Sequence, residues 1–489
     1  MKTFLRRLLK TLGIVLVVLA CVAGYFWYGN PSDRPISDTM GKDPVLVEPE
    51  EESFPSVSLT DTIGWQPGEA PVPGKGLKAS RFAQGLDHTR TMLSLPNGDV
   101  LVAETNSPPR DIGGPVLRFF MKLFLDYVGA GGASPNRIVL LRDGDGDGKA
   151  EQRFTLREKD LDSPSGMAWG KGRLFIANHD AVLSFAFEPG ATALEGAPEK
   201  LMDLPPAGNH WMRNLLLSPD GGLLYVAVGS SSNIAENGLE ADRNRAAIHE
   251  IDLADNSHRL FAAGMRNPNG MAWNPSSGEL WAAVQERDML GPDLVPEYLT
   301  NVPIGTHYGW PWFYWKDNYD SRVDHPMPLY LGEYIRKPEY GLGAHTGVLG
   351  LLFSTGGNLM GETYANGAFV ARHGSWNRKP AAGYDVIFVP FDANGNPRGK
   401  ALPVLSGFLL ADKQETHGRP TWLAWDRSGG LLVSDDTAGI VWRVHAPGAR
   451  PSVAPSPVKT ESLPPQHELK GEPTGRWLGT IEKDYVELR

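Results

Sequence analysis

Four stretches of this 489-residue chain concentrate side chains that move protons or hold anions. They read Gly208-Asn-His210-Trp-Met-Arg213 ahead of Ser218-Pro-Asp-Gly; Gly264-Met-Arg266-Asn267-Pro-Asn269-Gly270; Thr306-His-Tyr308-Gly-Trp310-Pro311; and His373-Gly-Ser-Trp376-Asn377-Arg378 ahead of Gly383-Tyr384. Histidine titrates near neutrality and suits a general base. Arginine is a forked, permanently charged donor for carboxylates and oxyanions. A fifth stretch, Asp143-Gly-Asp145-Gly-Asp147-Gly148-Lys-Ala-Glu151, sets acids at loop positions 1, 3, 5 and 9 with glycine at 6. That pattern supplies hard oxygen ligands for a structural calcium, although Phe154 stands where a glutamate usually closes such a loop. A solvated acidic turn is the alternative, since Asp-Gly is turn chemistry in itself. The aromatic run Tyr308–Trp315 could floor the apolar C–H face of a sugar or fill an ordinary β core.

Composition limits what can position these residues. Lys plus Arg is 47 and Asp plus Glu is 57, giving a formal charge of −10. An acidic chain lacks the basic face of a nucleic-acid binder. Gly (56) and Pro (40) together exceed what a helical bundle carries and suit a turn-rich β protein. The single cysteine, Cys21, lies in the leader, so the folded part has neither disulfide nor thiolate metal site. No Gly-x-Gly-x-x-Gly, P-loop or Gly-x-Ser-x-Gly motif is present, which argues against nicotinamide, nucleotide and α/β-hydrolase folds.

Residues 1–28 carry Lys2, Arg6, Arg7 and Lys10, then an apolar run from Leu12 to Tyr28. As a helix that run spans roughly 26 Å, enough for a thin bilayer. The cations keep the N-terminal side cytoplasmic and place the body outside, facing the periplasm. The reading favoured here is an uncleaved anchor. Signal cleavage, and lipid attachment at Cys21, are the alternatives. Residues 29–78, rich in Pro, Ser and acids, read as a linker, and 447–489 as a Pro-rich tail. Pro115–Val128 reads as a helix, either packed on the body or contacting a membrane or electron acceptor.

Between linker and tail a loose unit recurs: an apolar strand, a Gly/Asn/Asp turn, a second apolar strand. Copies run over Ser94–Glu104, Gly166–Ala177, Leu217–Ala227, Gly270–Ala283, Gly357–Ala371 (the weakest) and Trp422–Ser434. Six copies over 79–446, roughly 60 residues apiece, predict an all-β, six-bladed β-propeller.

At this point the chain resembles the PQQ-dependent sugar dehydrogenases, in particular the sorbosone/aldose dehydrogenase branch. The likeness covers roughly Arg81 to His445 and rests on the four stretches in their order. It implies a six-bladed propeller, PQQ and Ca2+ as cofactors, and oxidation of an aldose or sugar aldehyde, with electrons leaving to a quinone or cytochrome. It further implies that His210 is the base, and that Arg266 and Asn267 contact the quinone oxygens, Arg266 also serving catalysis. By the same likeness Arg378 meets the cofactor's carboxylates, and His345 and His373 fall in matching stretches; Arg213, Arg90 and Arg419, at loop or strand-entry positions of their blades, are further candidates for the cofactor. Soluble glucose dehydrogenases of this family have an aspartate that orients the base. The matching stretch here, Gly229-Ser-Ser-Ser-Asn233, has no acid, leaving Ser230 or a distant carboxylate for that role. The cofactor's calcium would lie at Glu286, Arg287 and Asp288, through carbonyls or carboxylates. Two rivals remain: a calcium-dependent, lactonase-like propeller hydrolase and a non-catalytic binding propeller.

Overall fold

The computed structural model describes residues 29–58, 60–109 and 131–458, with scattered positions before residue 29 and Lys122. Six antiparallel sheets succeed one another along the chain. Their innermost strands are Thr89–Ser94, Gly166–Gly170, Arg213–Leu217, Asn267–Trp273, Val348–Phe353 and Pro420–Trp425. All six contribute to the wall of one apolar cavity of about 450 Å³, through Met92, Met167, Leu215, Met271, Leu351 and Leu423. The sheets are therefore blades around an axis, and the fold is the six-bladed β-propeller the repeats predict.

Each repeat copy falls on the inner hairpin of one blade, although Gly357–Ala371 takes in only the turn and the second strand of its hairpin. Glycines in these strands have a packing cause. A Cβ on Gly166 would lie 2.5 Å from the Arg213 carbonyl oxygen, and one on Gly270 would lie 2.4 Å from that of Leu349. Only glycine lets the inner strands of neighbouring blades approach this closely. Between blades, alternate strand residues interlock, as where Leu101 and Leu140 of blade one meet Leu174, Ile176 and Phe185 of blade two. The ring closes when Lys78–Gln84 pairs with Ile440–His445 as the outer strand of blade six.

The reading of 29–78 as a free linker is corrected. Met40–Gly41 adds a fifth strand to blade four and Val72–Pro73 one to blade five. Asp61–Thr62 pairs with Glu415–Thr416. Proline-rich chain is already extended, so it suits short edge pairing while lacking a core of its own. The described part of the tail also docks: Ser452 exchanges backbone bonds with Gly357 and Asn358, and the Val458 N–H donates to Ser276. Among the described residues no helix is long and apolar enough to cross a membrane. The leader's apolar run and Pro115–Val128 lie almost wholly outside the described residues.

Two buried histidines tie stability to pH. His307 accepts the Gly309 N–H on Nδ1 at 3.0 Å, and His249 Nε2 lies 2.9 Å from the Asn244 carbonyl. Burial pushes both down to about 4, from an ordinary 6.5. At these two sites the unfolded chain then binds more protons than the folded one between those values, so the histidines' contribution to stability falls as pH drops from 6.5 towards 4, while Glu297 and Asp435, pushed up by burial to about 7 and about 6, act in the opposite sense. Each histidine should cost about 2 kcal/mol at pH 5 relative to pH 7. Urea unfolding at both pH values checks this: on going from pH 7 to pH 5, His307→Gln and His249→Gln should each gain stability relative to wild type by about that amount.

Candidate active site

One end of the ring is where inner strands begin and second strands finish. The loops there carry every one of the four stretches. His210 precedes the inner strand of blade three. Its Nδ1 lies 2.9 Å from the Ser230 carbonyl and 3.0 Å from Ser230 Oγ. The Ser230 hydroxyl donates its own proton to the Ser232 carbonyl at 2.7 Å. Both Ser230 oxygens therefore accept from His210, which fixes the proton on Nδ1 and the lone pair on Nε2. Ser230 thus holds His210 where the sequence offers no acid.

The loop 229–233 is the hub of the site. Its Ser230 N–H donates to the Arg266 carbonyl at 2.8 Å. Its Asn233 carbonyl accepts from Arg266 Nε at 3.2 Å and from Trp310 Nε1 at 2.9 Å. The Asn233 amide bonds both the N–H and the carbonyl of Asp288. At Gly229 a Cβ would stand 2.2 Å from Asn267 Oδ1 and 2.6 Å from His210 Cβ, so glycine is what lets His210 and Asn267 pack together.

Arg266 and Asn267 are both buried. Arg266 donates to the Glu286 carbonyl at 2.6 Å and pairs with Asp288 at 2.7 Å. Asn267 Nδ2 donates to Gln285 at 2.7 Å. The other Asp288 oxygen meets His345 Nδ1 at 3.3 Å, while His345 Nε2 faces the carbonyls of Gly291 and Leu294 at 3.1 and 2.8 Å. Acceptors at both ring nitrogens require the doubly protonated imidazolium. Burial opposes that charge, but the Asp288 carboxylate outweighs it and holds His345 above its ordinary value. Burial likewise would raise Asp288, yet Arg266, His345 and His210 together hold it low.

Across the face, Asp436 accepts from Arg90 and, at 2.8 Å, from His373 Nε2. Arg90 also stacks over Trp211, 5.6 Å from its ring centre. Arg419 lies over Tyr384 at 5.1 Å and reaches Thr60 Oγ1 at 3.4 Å. It makes no ion pair among the described residues, and its Nε is buried without a partner.

Several sequence expectations change here. Arg378 does not face the site. Its guanidinium pairs with Asp293 and bonds the Pro292 carbonyl, Ser32 Oγ and the Arg34 carbonyl. Arg213 is fully buried against the carbonyls of Pro205, His210 and Met212, where burial pushes its guanidinium down to about 9. It braces the His210 loop and presents no surface at the candidate site. As calcium ligands, the side chains of Glu286, Arg287 and Asp288 do not fit. Glu286 pairs with Arg287, Asp288 with Arg266 and His345, and the Arg287 guanidinium is sealed against Asp320 and the carbonyls of Pro311 and Phe313. Buried carboxylates neutralised by arginine are poor ligands for a second cation. A hydrolase with a central metal would need free acids at this end, and among the described residues the one converging acidic group is elsewhere. That group is Asp143, Asp145, Asp147 and Glu151, whose oxygens all lie within 4.8 Å of one another on an outer loop of blade one. The aromatics Tyr308, Trp310, Trp312, Tyr314 and Trp315 are buried packing, not a sugar floor.

Asn233 and Asp436 join the site without having been singled out. Asn233 closes a stretch that was quoted, but its contacts reach across chain distances that no local spacing reveals.

The TrAA12-like family model matches residues 136–295 and 332–447, more than half of the chain. The chain belongs to the TrAA12-like family. An uncharacterized protein of Borreliella burgdorferi is 27% identical over 300 residues, 59% of this chain and 76% of that protein. A pyrroloquinoline quinone-dependent pyranose dehydrogenase of Coprinopsis cinerea is 33% identical over 135 residues, 24% of this chain but only 18% of that enzyme. The solved PQQ domain of pyranose dehydrogenase from Coprinopsis cinerea, in its holo form, superposes with a TM-score of 0.61 at 18% identity. It covers 79% of this chain and 100% of its own and attests the shared propeller fold. The resemblance drawn from the four stretches thus has its counterpart among these relatives.

Substituting Gly229→Ala should destabilise the protein by about 2 kcal/mol, because the added methyl meets two fixed side chains. Denaturant unfolding measures the loss, and imidazole NMR shifts should report a displaced His210.

Proposed function

We propose that this chain is a PQQ-dependent oxidoreductase that oxidises an aldose or related sugar aldehyde, sorbosone-like in class. The observation that carries this reading is His210, its proton fixed on Nδ1 by Ser230, held through one loop against Arg266 and Asn267. When bound, the quinone would accept the hydride from the sugar carbon. His210 takes the hydroxyl proton on Nε2. Arg266 spends three of its five N–H groups on Asn233, Glu286 and Asp288, leaving two to face an oxyanion. Arg419, whose Nε is buried without a partner and whose guanidinium makes no ion pair among the described residues, is the cation suited to a carboxylate of the cofactor. A calcium at the cofactor would rest on main-chain oxygen. The Arg287 carbonyl is suited, since those of Glu286 and Asp288 already accept from Arg266, Asn233 and Arg322. The leader and its cations support a body facing the periplasm, held at the inner membrane, with electrons passing to a quinone or cytochrome.

Absorbance titration of quinone-free protein with PQQ and calcium tests the reading. Stoichiometric uptake is expected, weakened about tenfold or more in Arg419→Ala and Arg266→Ala. His210→Ala should bind the quinone normally while sugar-dependent dye reduction falls at least about a hundredfold. No uptake at micromolar quinone would refute the proposal.

We also assign the outer loop of blade one to a structural calcium. Calcium should raise Tm by a few degrees in the wild type, and the shift should vanish in Asp145→Asn/Asp147→Asn. An equal shift in both proteins would leave the loop a solvated turn.

A further inference from the structure

The loop from Glu286 to Val295 links two strands of blade four. Its inner side carries Asp288, on which Arg266 and His345 both depend. Its outer side is covered by the N-terminal segment. The Glu50 and Glu52 N–H groups donate to the carbonyls of Leu290 and Met289, each at 3.2 Å, as an extended strand would. Asn377, wholly buried, joins the two layers through one amide. Its Oδ1 accepts the Met289 N–H at 2.7 Å and its Nδ2 donates to Glu52 at 3.1 Å. Ser32 Oγ lies 2.7 Å from the Asp293 carboxylate, which Arg378 also binds while reaching Ser32 and Arg34. Thr39 Oγ1 accepts the N–H of Ala344, the residue before His345, at 3.0 Å. Further along, Thr60 contacts Arg419 and Tyr384.

These contacts share one consequence. A loop of ten residues without a sheet partner of its own pays ordering entropy of about 1–2 kcal/mol per residue. Here the N-terminal segment supplies the partner, and the groups that aim a site are commonly held by such an outer layer. We propose that residues 32–58 and 60–62 form a positioning strap for the cofactor loop, with Ser32, Glu52, Asn377 and Arg378 as positioning residues. The strap keeps Asp288 in register with Arg266 and His345, and Thr60 settles Arg419. This assigns Arg378 a role that its place in a site motif did not suggest. The inference rests on the quinone reading for its effect on affinity, and on geometry alone for the coupling of strap to loop.

The test uses the full chain with Ser32→Ala/Glu52→Gln, the conservative Ser32→Thr, and Leu183→Ala, a core truncation in blade two, as a stability-matched control. Hydrogen exchange is followed in quinone-free protein, and quinone affinity is measured by titration with calcium. In the double variant, exchange across 288–294 should quicken about tenfold while the inner strands of blades one and two stay protected. The quinone Kd should rise about tenfold. Ser32→Thr should behave as wild type, and Leu183→Ala should lower Tm without moving either readout. Loop exchange and affinity that change no more than in Leu183→Ala would overturn the strap. Wild-type protein that takes up no quinone, with the loop still answering to the strap, would overturn the quinone reading and the strap's effect on affinity, and uphold the mechanical coupling.

Discussion

Asp288 is buried with an arginine on one carboxylate oxygen and a histidinium on the other, and the active face is organised around that arrangement. Removing one partner of such a buried set would strand charge at a cost of several kcal/mol. The set therefore has one stable geometry. It fixes Arg266, Arg266 fixes the loop 229–233, and that loop fixes His210. One negative charge between two positive ones leaves the cluster net positive, as suits a face that receives an anionic group. The ring of blades is what makes this possible, since it brings strand ends from residue 88 to residue 436 to one place.

Much of this was legible in the sequence. The hairpin repeat showed because every inner hairpin repeats the same demands: apolar strands, a tight turn, and small residues where neighbouring blades touch. His210, Arg266 and Asn267, which the structure brings together, drew notice because each sits in a dense local stretch at the start of an inner strand. Arg378 sits in such a stretch too, yet its partners are Asp293 and Ser32, 85 and 346 residues away, and nothing local separates it from a ligand-binding arginine. Glu286 and Asp288 resembled metal ligands for the same reason. Acids adjacent in sequence look available until the arginines that neutralise them are seen.

The linker reading failed in an instructive way. Composition reports that a segment has no core of its own, and residues 29–78 have none. It does not report whether the segment adds strands to the edge of another unit. This one does so on blades four and five, and between those strands it crosses the outer side of the loop that carries Asp288.

The central claim is that His210, poised by Ser230, removes a proton from a sugar beside a bound quinone. Stopped-flow absorbance of the quinone-loaded protein mixed with an aldose tests it most directly. The account predicts a stoichiometric loss of the oxidised-quinone absorbance within the first turnover, and at least about a hundredfold slower loss in His210→Gln with quinone affinity unchanged. An absorbance that no aldose or sugar aldehyde changes, or one that His210→Gln leaves equally fast, would contradict it.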